Sequence, residues 1–336
     1  MKITTIGLDL AKNVFQVHGV DAGGKVVLTR QLKRSQMLPF FARLEPCLVG
    51  MEACAGAHYW ARALAGYGHT IRLMAPQFVK PYLKANKNDA RDAEAICEAV
   101  SRPTMRFVAV KSVDQQAVLS LHRIREGLVA SRTALVNQLR GLLAEFGVVV
   151  PQGRSRFEGI LPAVIQDAGN AVPALLKSAL CGMRDQLLGL NARIAELEGL
   201  IKAWHRAQAT SQELARVPGI GALTATAAVA TTGDAQVFGN SRAFAAWLGI
   251  VPAQHSSGGK ERLLGITKRG DSYLRKLFIH GARAVVSQHR PGKDAWLDAL
   301  LARRPRNVAI VAVAHRNARI AWALMAHQST YQARTR

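Results

Sequence analysis

Between Ile3 and Met74 the chain alternates short apolar runs with turn residues, and that rhythm constrains the fold more than any other feature. Ile3 to Val17, ITTIGLDLAKNVFQV, reads as a buried strand that delivers Asp9 at its end. A second run, Asn13 to Val20, follows at once, and Gly23-Gly24 turns the chain into a third, Lys25 to Leu32. Strand, tight turn, strand, Gly-Gly turn, strand is the signature of antiparallel pairing. Ser35 to Leu44 carries Met37, Leu38, Phe40, Phe41 and Leu44 at helical spacing, and Cys47 to Glu52 is apolar and short enough to be a buried strand ending in an acid. Ala57 to Gly66 predicts a helix, His69 to Met74 a strand, and Pro76 to Ala85 a helix bearing Lys80 and Lys84.

The resulting order, β-β-β-α-β-α-β-α, is that of an RNase H-like domain, a mixed sheet with helices on its faces. Asp9 and Glu52 each terminate a strand beside apolar residues. Charges in such places are normally paired or bound to a metal. Downstream, KANKNDARDAEAICEAV predicts a helix capped by Asn88 or Asp89. Asp89 and Asp92 are three apart and so share a helical face. Acids in a first turn also suit the helix dipole, and Lys87 and Arg91 offer simple surface pairing, so each carboxylate alone has an ordinary explanation. Four acids in one expected domain of a basic protein instead call for cations. An all-oxygen ligand set suits Mg²⁺ or Mn²⁺. Two such ions about 4 Å apart serve phosphodiester chemistry.

The 336 residues carry 45 Lys and Arg against 22 Asp and Glu, a formal net charge of +23. That excess works against a compact state unless a polyanion is the partner, and nucleic acid is the leading candidate. The basic residues are scattered rather than gathered in one amphipathic segment, which speaks against a membrane surface. No apolar run approaches the roughly 20 residues of a membrane helix. Cys47, Cys54, Cys97 and Cys181 show neither CxxC nor zinc spacing, as expected of free thiols in the cytoplasm.

Residues 111–209 change character. Leu121, Leu128, Leu135 and Leu142 recur every seven, with Ile124 and Leu139 filling the stripe. After a stretch expected to be irregular, Gly147 to Val172, a second stripe runs through Leu187, Leu190, Ile194, Leu197, Ile201 and Trp204. Two such helices predict a coiled-coil arm, antiparallel within the chain or dimerising, and ordinary bundle packing is the competing reading. Residues 210–330 are expected to form a mainly helical third domain. There Pro218-Gly219-Ile220-Gly221 has the look of a helix-hairpin-helix turn, in which Gly219 and Gly221 bring backbone N–H groups to a DNA phosphate. PAQHSSGGK, from Pro252 to Lys260, is first of all a β-hairpin turn. Asp271 caps a basic helix, and Lys260, Arg262, Lys268, Arg269 and Arg275 are the expected phosphate contacts.

Taken in order, IGLDLAKNVFQV, the Glu52 strand, KNDARDAE, VPGIG and PAQHSSGGK resemble the DEDD transposases of bacterial insertion sequences, relatives of the Piv DNA invertases. The resemblance covers nearly the whole chain. It implies a RuvC-like catalytic domain over residues 1–110, a coiled-coil linker over 111–209 and a transposase domain over 210–330. It places the acidic quartet at Asp9, Glu52, Asp89 and Asp92 and the nucleophilic serine at Ser257, with Ser256 adjacent. It further implies double-stranded DNA as substrate and a structured RNA from the element's non-coding end as guide; recombination must hold several strands at once, which calls for a dimer or tetramer. Three other readings compete. A Holliday-junction or flap endonuclease shares the acids but needs no serine. A sugar kinase or actin-like ATPase needs Gly and Ser or Thr after the first Asp, where this chain has Leu10-Ala11-Lys12-Asn13. A non-catalytic DNA-binding protein leaves the four acids without a role.

Overall fold

Strand alternation decides which face of the sheet receives a helix. The computed structural model describes residues 2–83, 88–256 and 260–333. In it β1 (Thr5–Asp9) buries Ile6 and Leu8 on one face and turns Gly7 and Asp9 to the other. β2 (Val14–Val20) and β3 (Val26–Lys33) pair antiparallel to it in succession. After α1 (Met37–Ala42), β4 (Leu48–Glu52) lies parallel to β1. Beyond α2 (Ala57–Ala65), β5 (Thr70–Met74) lies parallel to β4. The short α3 (Pro76–Val79), the longer α4 (Asp89–Val100) and the two-residue β6 (Phe107–Val108) complete a sheet of order β3-β2-β1-β4-β5-β6.

One face of this sheet packs Ile6, Leu8, Phe15, Val49, Met51 and Leu73 against Phe41, Trp60 and Leu64 of α1 and α2. The other receives α4, and glycines let it come close. A Cβ on Gly7 would stand 2.0 Å from the carbonyl oxygen of Ala93, and one on Gly50 would stand 2.7 Å from Val100 Cβ. α4 thus lies directly on β1 and β4, with its acidic first turn toward the ends of these strands. The helix expected over Pro76–Ala85 stops at Val79 and tightens into a 3₁₀ turn at Lys80–Tyr82; Lys84 and Ala85 lie outside the described residues.

Two compact units result, Met1–Val113 with Thr232–Val237, and Asp114–Thr231 with Phe238–Arg336. The second begins with two long helices, α5 (Val113–Ala144) and α7 (Ala174–Ala207). They run antiparallel: Arg125 pairs with Glu198 at 2.6 Å, Arg132 donates to Asn191 at 3.0 Å, and Leu135 to Leu143 share a core with Leu180 and Leu187. The buried seam of α7 is Leu180, Leu187, Ile194 and Ile201, a strict heptad. On α5 the seam is Val118, His122, Leu135, Val136, Leu139 and Leu143, so Ile124, expected in the stripe, instead faces solvent. The stretch expected to be irregular contains α6 (Arg154–Gln166), which buries Phe157, Leu161 and Ile165 despite Pro162.

The remaining helices are α8 (Ala209–Ala215), α9 (Ala222–Thr232), α10 (Ser241–Trp247), α11 (Ser272–Gln288), α12 (Ala295–Arg303) and α13 (Arg306–His327). A hairpin of β7 (Pro252–Gln254) and β8 (Leu263–Ile266) interrupts them. Phe244, Leu248, Leu274, Phe278, Ile310 and Val313 form the centre of this core. His122 is buried between α5, α9 and α11. The Thr226 hydroxyl donates to the Ala222 carbonyl at 2.7 Å, so it accepts from His122 Nε2 at 3.0 Å, while Nδ1 accepts from Tyr273 at 2.9 Å. Both ring nitrogens are satisfied in the neutral form. Burial, and then the Arg125 charge, push its pKa down to about 4.

Candidate active site

Two acids arrive on strands and two on a helix. The parallel register that sets Leu8 beside Met51 makes Asp9 and Glu52 neighbours at one end of adjacent strands. Strand alternation gives both acids the face of Gly7 and Gly50, the face covered by α4. At the start of α4 it is Asn88 that caps: its Oδ1 accepts the Ala90 N–H at 3.0 Å, and its carbonyl accepts the N–H groups of Arg91 and Asp92. Asp89 is thereby released from capping. Carboxylate oxygens of Asp9, Asp89 and Asp92 lie within 4.8 Å of one another. Lys87, the lysine of the KNDARD stretch, lies outside the described residues.

Like charges at that spacing repel by a few kcal/mol per pair at an effective dielectric of about 20. A hard cation removes the repulsion. The donor set fits one, since Asp9, Asp89 and Asp92 offer only carboxylate oxygens at mutual distances a single ion can bridge. Glu52 stands outside that trio but close to it. Cys54 records the proximity: burial pushes its thiol pKa up, and the charges of Glu52 and then Asp9 push it further. In the sequence Cys54 shows only as a free thiol. Its signal was its position two residues after Glu52, with the backbone doubling back so that Cys54 N–H donates to the Glu52 carbonyl at 2.8 Å.

In the second unit the expected phosphate contacts divide into two kinds. Lys260, Arg262, Lys268 and Arg269 are exposed along the hairpin and its return. Arg275 is half-buried and donates from Nη1 to the carbonyls of Leu248 and Arg269 at 3.2 and 3.3 Å, so it ties down the hairpin base. Glycines make that base possible: Gly249 and Gly270 have φ of 72° and 91°, and a Cβ on Gly270 would meet the Trp247 carbonyl at 1.8 Å. Ser256 is exposed and accepts a hydrogen bond from Gln254 Nε2 at 2.9 Å. Ser257, Gly258 and Gly259 lie outside the described residues. Gly219 and Gly221 also differ. Gly219, at φ 88°, faces α11 and α13, with Asn317 Nδ2 donating to the Pro218 carbonyl at 2.8 Å. Gly221 is exposed at the entrance to α9, with nothing near its Cβ position.

The chain belongs to the family of transposases described as IS116/IS110/IS902. The model of that family matches residues 211–297, and a DEDD transposase model of the IS110 type matches residues 6–147. A probable family 20 transposase of Pseudomonas aeruginosa is 55% identical, covering 99% of each chain. The transposase for insertion sequence element IS1111A of Coxiella burnetii is 46% identical over 98% of this chain and 92% of its own. That for element IS1328 of Yersinia enterocolitica is 41% identical over 95% and 96%. The protein is an insertion-sequence transposase, and no helix among its described residues is long and apolar enough to cross a membrane.

Proposed function

We propose that the protein cuts and rejoins DNA strands in a divalent-metal-dependent reaction, with Asp9, Glu52, Asp89 and Asp92 as the ligands and Ser257 as the nucleophile. The observation that carries this reading is the meeting of Asp9, Asp89 and Asp92 within 4.8 Å on residues from a strand end and a helix start. The sheet order, with antiparallel β1–β3 and parallel β1, β4 and β5, supports an RNase H-like assignment of the first unit. Mg²⁺ or Mn²⁺, as a pair of ions, would supply charge neutralisation at the scissile phosphate and activation of the attacking oxygen.

The residues divide the work. The carboxylates hold their positions because α4 is seated on glycines and Asn88 does the capping, so the cluster is preorganised. The Ser257 hydroxyl attacks the scissile phosphorus; its proton is lost, and the departing strand oxygen leaves as a hydroxyl after taking up a proton. The phosphodiester to serine retains the bond energy, and attack by the hydroxyl of the incoming strand restores the serine. Exposed Lys260, Arg262, Lys268 and Arg269, with the N–H groups at Gly221, support a phosphate-tracking hairpin and a helix-hairpin-helix role for Pro218–Gly221. The resemblance to DEDD transposases implies a structured guide RNA, holding several strands at once calls for a dimeric or tetrameric assembly, and the net charge of +23 suits both nucleic acids. On this reading the work is done in the cytoplasm, at the nucleoid. Domains at 1–110, 111–209 and 210–330 remain the functional division we propose.

Trapping the reaction on element-end DNA tests the chemistry. The unaltered protein should give a protein–DNA adduct at Ser257, and Ser257→Ala should give neither adduct nor cleavage while still binding DNA. Cleavage by Ser257→Ala with loss in Ser256→Ala would move the nucleophile by one residue. Free ends in place of rejoined products would favour a nuclease.

A further inference from the structure

We infer that a groove in the C-terminal unit, floored by Trp296 and rimmed by Arg290, Lys293 and Arg319, binds an unpaired stretch of single-stranded DNA. The groove encloses about 1350 Å³ between the Pro218-Gly219 turn, the end of α11, the start of α12 and the outer face of α13. That exceeds the roughly 300–1,000 Å³ of a small-molecule site.

Its floor is built rather than incidental. Asp294 caps α12 and accepts from both Nη1 and Nη2 of Arg316 at 3.0 Å. The fork fixes the guanidinium 4.2 Å from the centroid of the Trp296 ring. Arg316 is thus neutralised and spent on holding the indole. Trp296 nonetheless stays 39% exposed, unusual for the largest apolar side chain in a well-packed helical unit. Around it Arg290, Lys293 and Arg319 are exposed, and none of the three forms an ion pair among the described residues. Arg319 is steadied by donating from Nε to Ser241 Oγ at 3.2 Å.

A fixed aromatic face beside unneutralised cations is the chemistry that takes a base by stacking and its phosphates by charge. A duplex keeps its bases stacked on one another and cannot use the indole. The fit is therefore to unpaired nucleotides, which strand exchange exposes. This rests on the strand-transfer reading only for its occasion, because binding itself needs neither metal nor serine.

The test uses the full chain in excess chelator, so that failure of the metal-dependent chemistry cannot register. Fluorescence anisotropy should show a labelled single-stranded oligodeoxynucleotide binding roughly ten- to a hundredfold more weakly to Trp296→Ala, with duplex binding unchanged. Trp296→Phe should retain most of the affinity. The triple variant Arg290→Gln, Lys293→Gln, Arg319→Gln, which leaves the floor intact, should lower the salt dependence of single-strand binding by about two to three units of slope. A 5-iododeoxyuridine oligonucleotide should crosslink to the peptide holding Trp296. Unchanged single-strand affinity in both Trp296→Ala and the triple variant would overturn the inference. So would equal loss for single strand and duplex, crosslinks confined to other peptides, or tighter binding of the matching oligoribonucleotide at this site.

Discussion

The two ends of the molecule handle charge in opposite ways. In the N-terminal unit a few acids are forced together by the backbone: Gly7 and Gly50 admit α4, and α4 delivers Asp89 and Asp92 to the strand that ends in Asp9. In the C-terminal unit many cations are spread over an exposed hairpin and helix ends, and the glycines there fix the hairpin base and the approach of the Pro218-Gly219 turn to α11, not the cations themselves. A site that must hold small ions needs carboxylates placed to tenths of an ångström. A surface that follows a phosphate chain needs only charge at the right density. The contrast predicts sharp, all-or-none effects in the first unit and graded ones in the second.

The largest effect should follow from the carboxylates. Asp9→Asn, Glu52→Asn, Asp89→Asn and Asp92→Asn should each reduce strand cleavage by roughly a hundred- to a thousandfold or more, the scale of losing one preorganised electrostatic group. DNA binding should be almost unchanged. Without metal, Asp92→Asn should melt slightly higher than the unaltered protein because repulsion is relieved, and its melting temperature should no longer rise with added Mn²⁺. If a single Asn variant kept full cleavage, that residue would leave the ligand set.

Next come the glycines. Gly7→Ala sets a methyl 2.0 Å from the Ala93 carbonyl, which no rotamer change relieves. It should destabilise the first unit by more than the roughly 1–3 kcal/mol of ordinary overpacking and abolish cleavage. Gly270→Ala, at φ 91° and 1.8 Å from the Trp247 carbonyl, should distort the hairpin while leaving metal-induced stabilisation intact. Gly221→Ala should be mild. Thermal melts with and without Mn²⁺ separate the three, and equal responses would erase the distinction between the units.

A smaller effect belongs to His122. Its folded pKa of about 4 lies below the ordinary 6.5, so between these values the unfolded chain takes up a proton that the folded chain refuses. Stability therefore falls as pH drops from about 6.5 towards 4, by up to roughly 3 kcal/mol, and is flat in this respect above 6.5. His122→Gln should flatten that slope in denaturant titrations followed by a probe in the C-terminal unit. The smallest effects are those of the single hairpin cations. Neutralising Lys260, Arg262, Lys268 or Arg269 should lower the salt slope of DNA binding by about one each, for all sequences alike. Arg275→Gln should instead lower the melting temperature, since its guanidinium serves the Leu248 and Arg269 carbonyls.

Legibility followed the same division. The positions of Asp9 and Glu52 at strand ends and of Asp89 and Asp92 at a helix start could be read from the chain, because each ends or begins an element whose apolar pattern is strong. Parallel pairing of β1 with β4 could not, since nothing local to either strand encodes its neighbour. Gly7 and Gly50 carry no local sign of the close approach of α4. α6 was missed because Pro162 and Gly159 masked a good apolar series, Phe157, Leu161 and Ile165. β6 is two residues long and exists only because β5 offers it an edge. The arm was anticipated by its heptads, but Ile124 was assigned inward and points out, because polar residues of α5 such as Arg125 occupy the seam through pairing with Glu198. The division of the basic residues into hairpin cations and the Arg275 brace is a matter of tertiary hydrogen bonding, to which composition is blind.

The seating of α4 on the sheet also sets when, in the life of a molecule, it becomes competent. Asp9 leaves the ribosome early, and Asp89 and Asp92 follow about eighty residues later, which at roughly 5–20 residues per second is a delay of some 4–16 s. During that interval β1, its hairpin and β4 can pair, but there is no third carboxylate for an ion to bridge. Only after Val100 has been made can α4 settle against Gly7 and Gly50. On the proposed reading, a transposase thus emerges without its carboxylate cluster complete, and a truncated product ending before α4 should not cleave DNA.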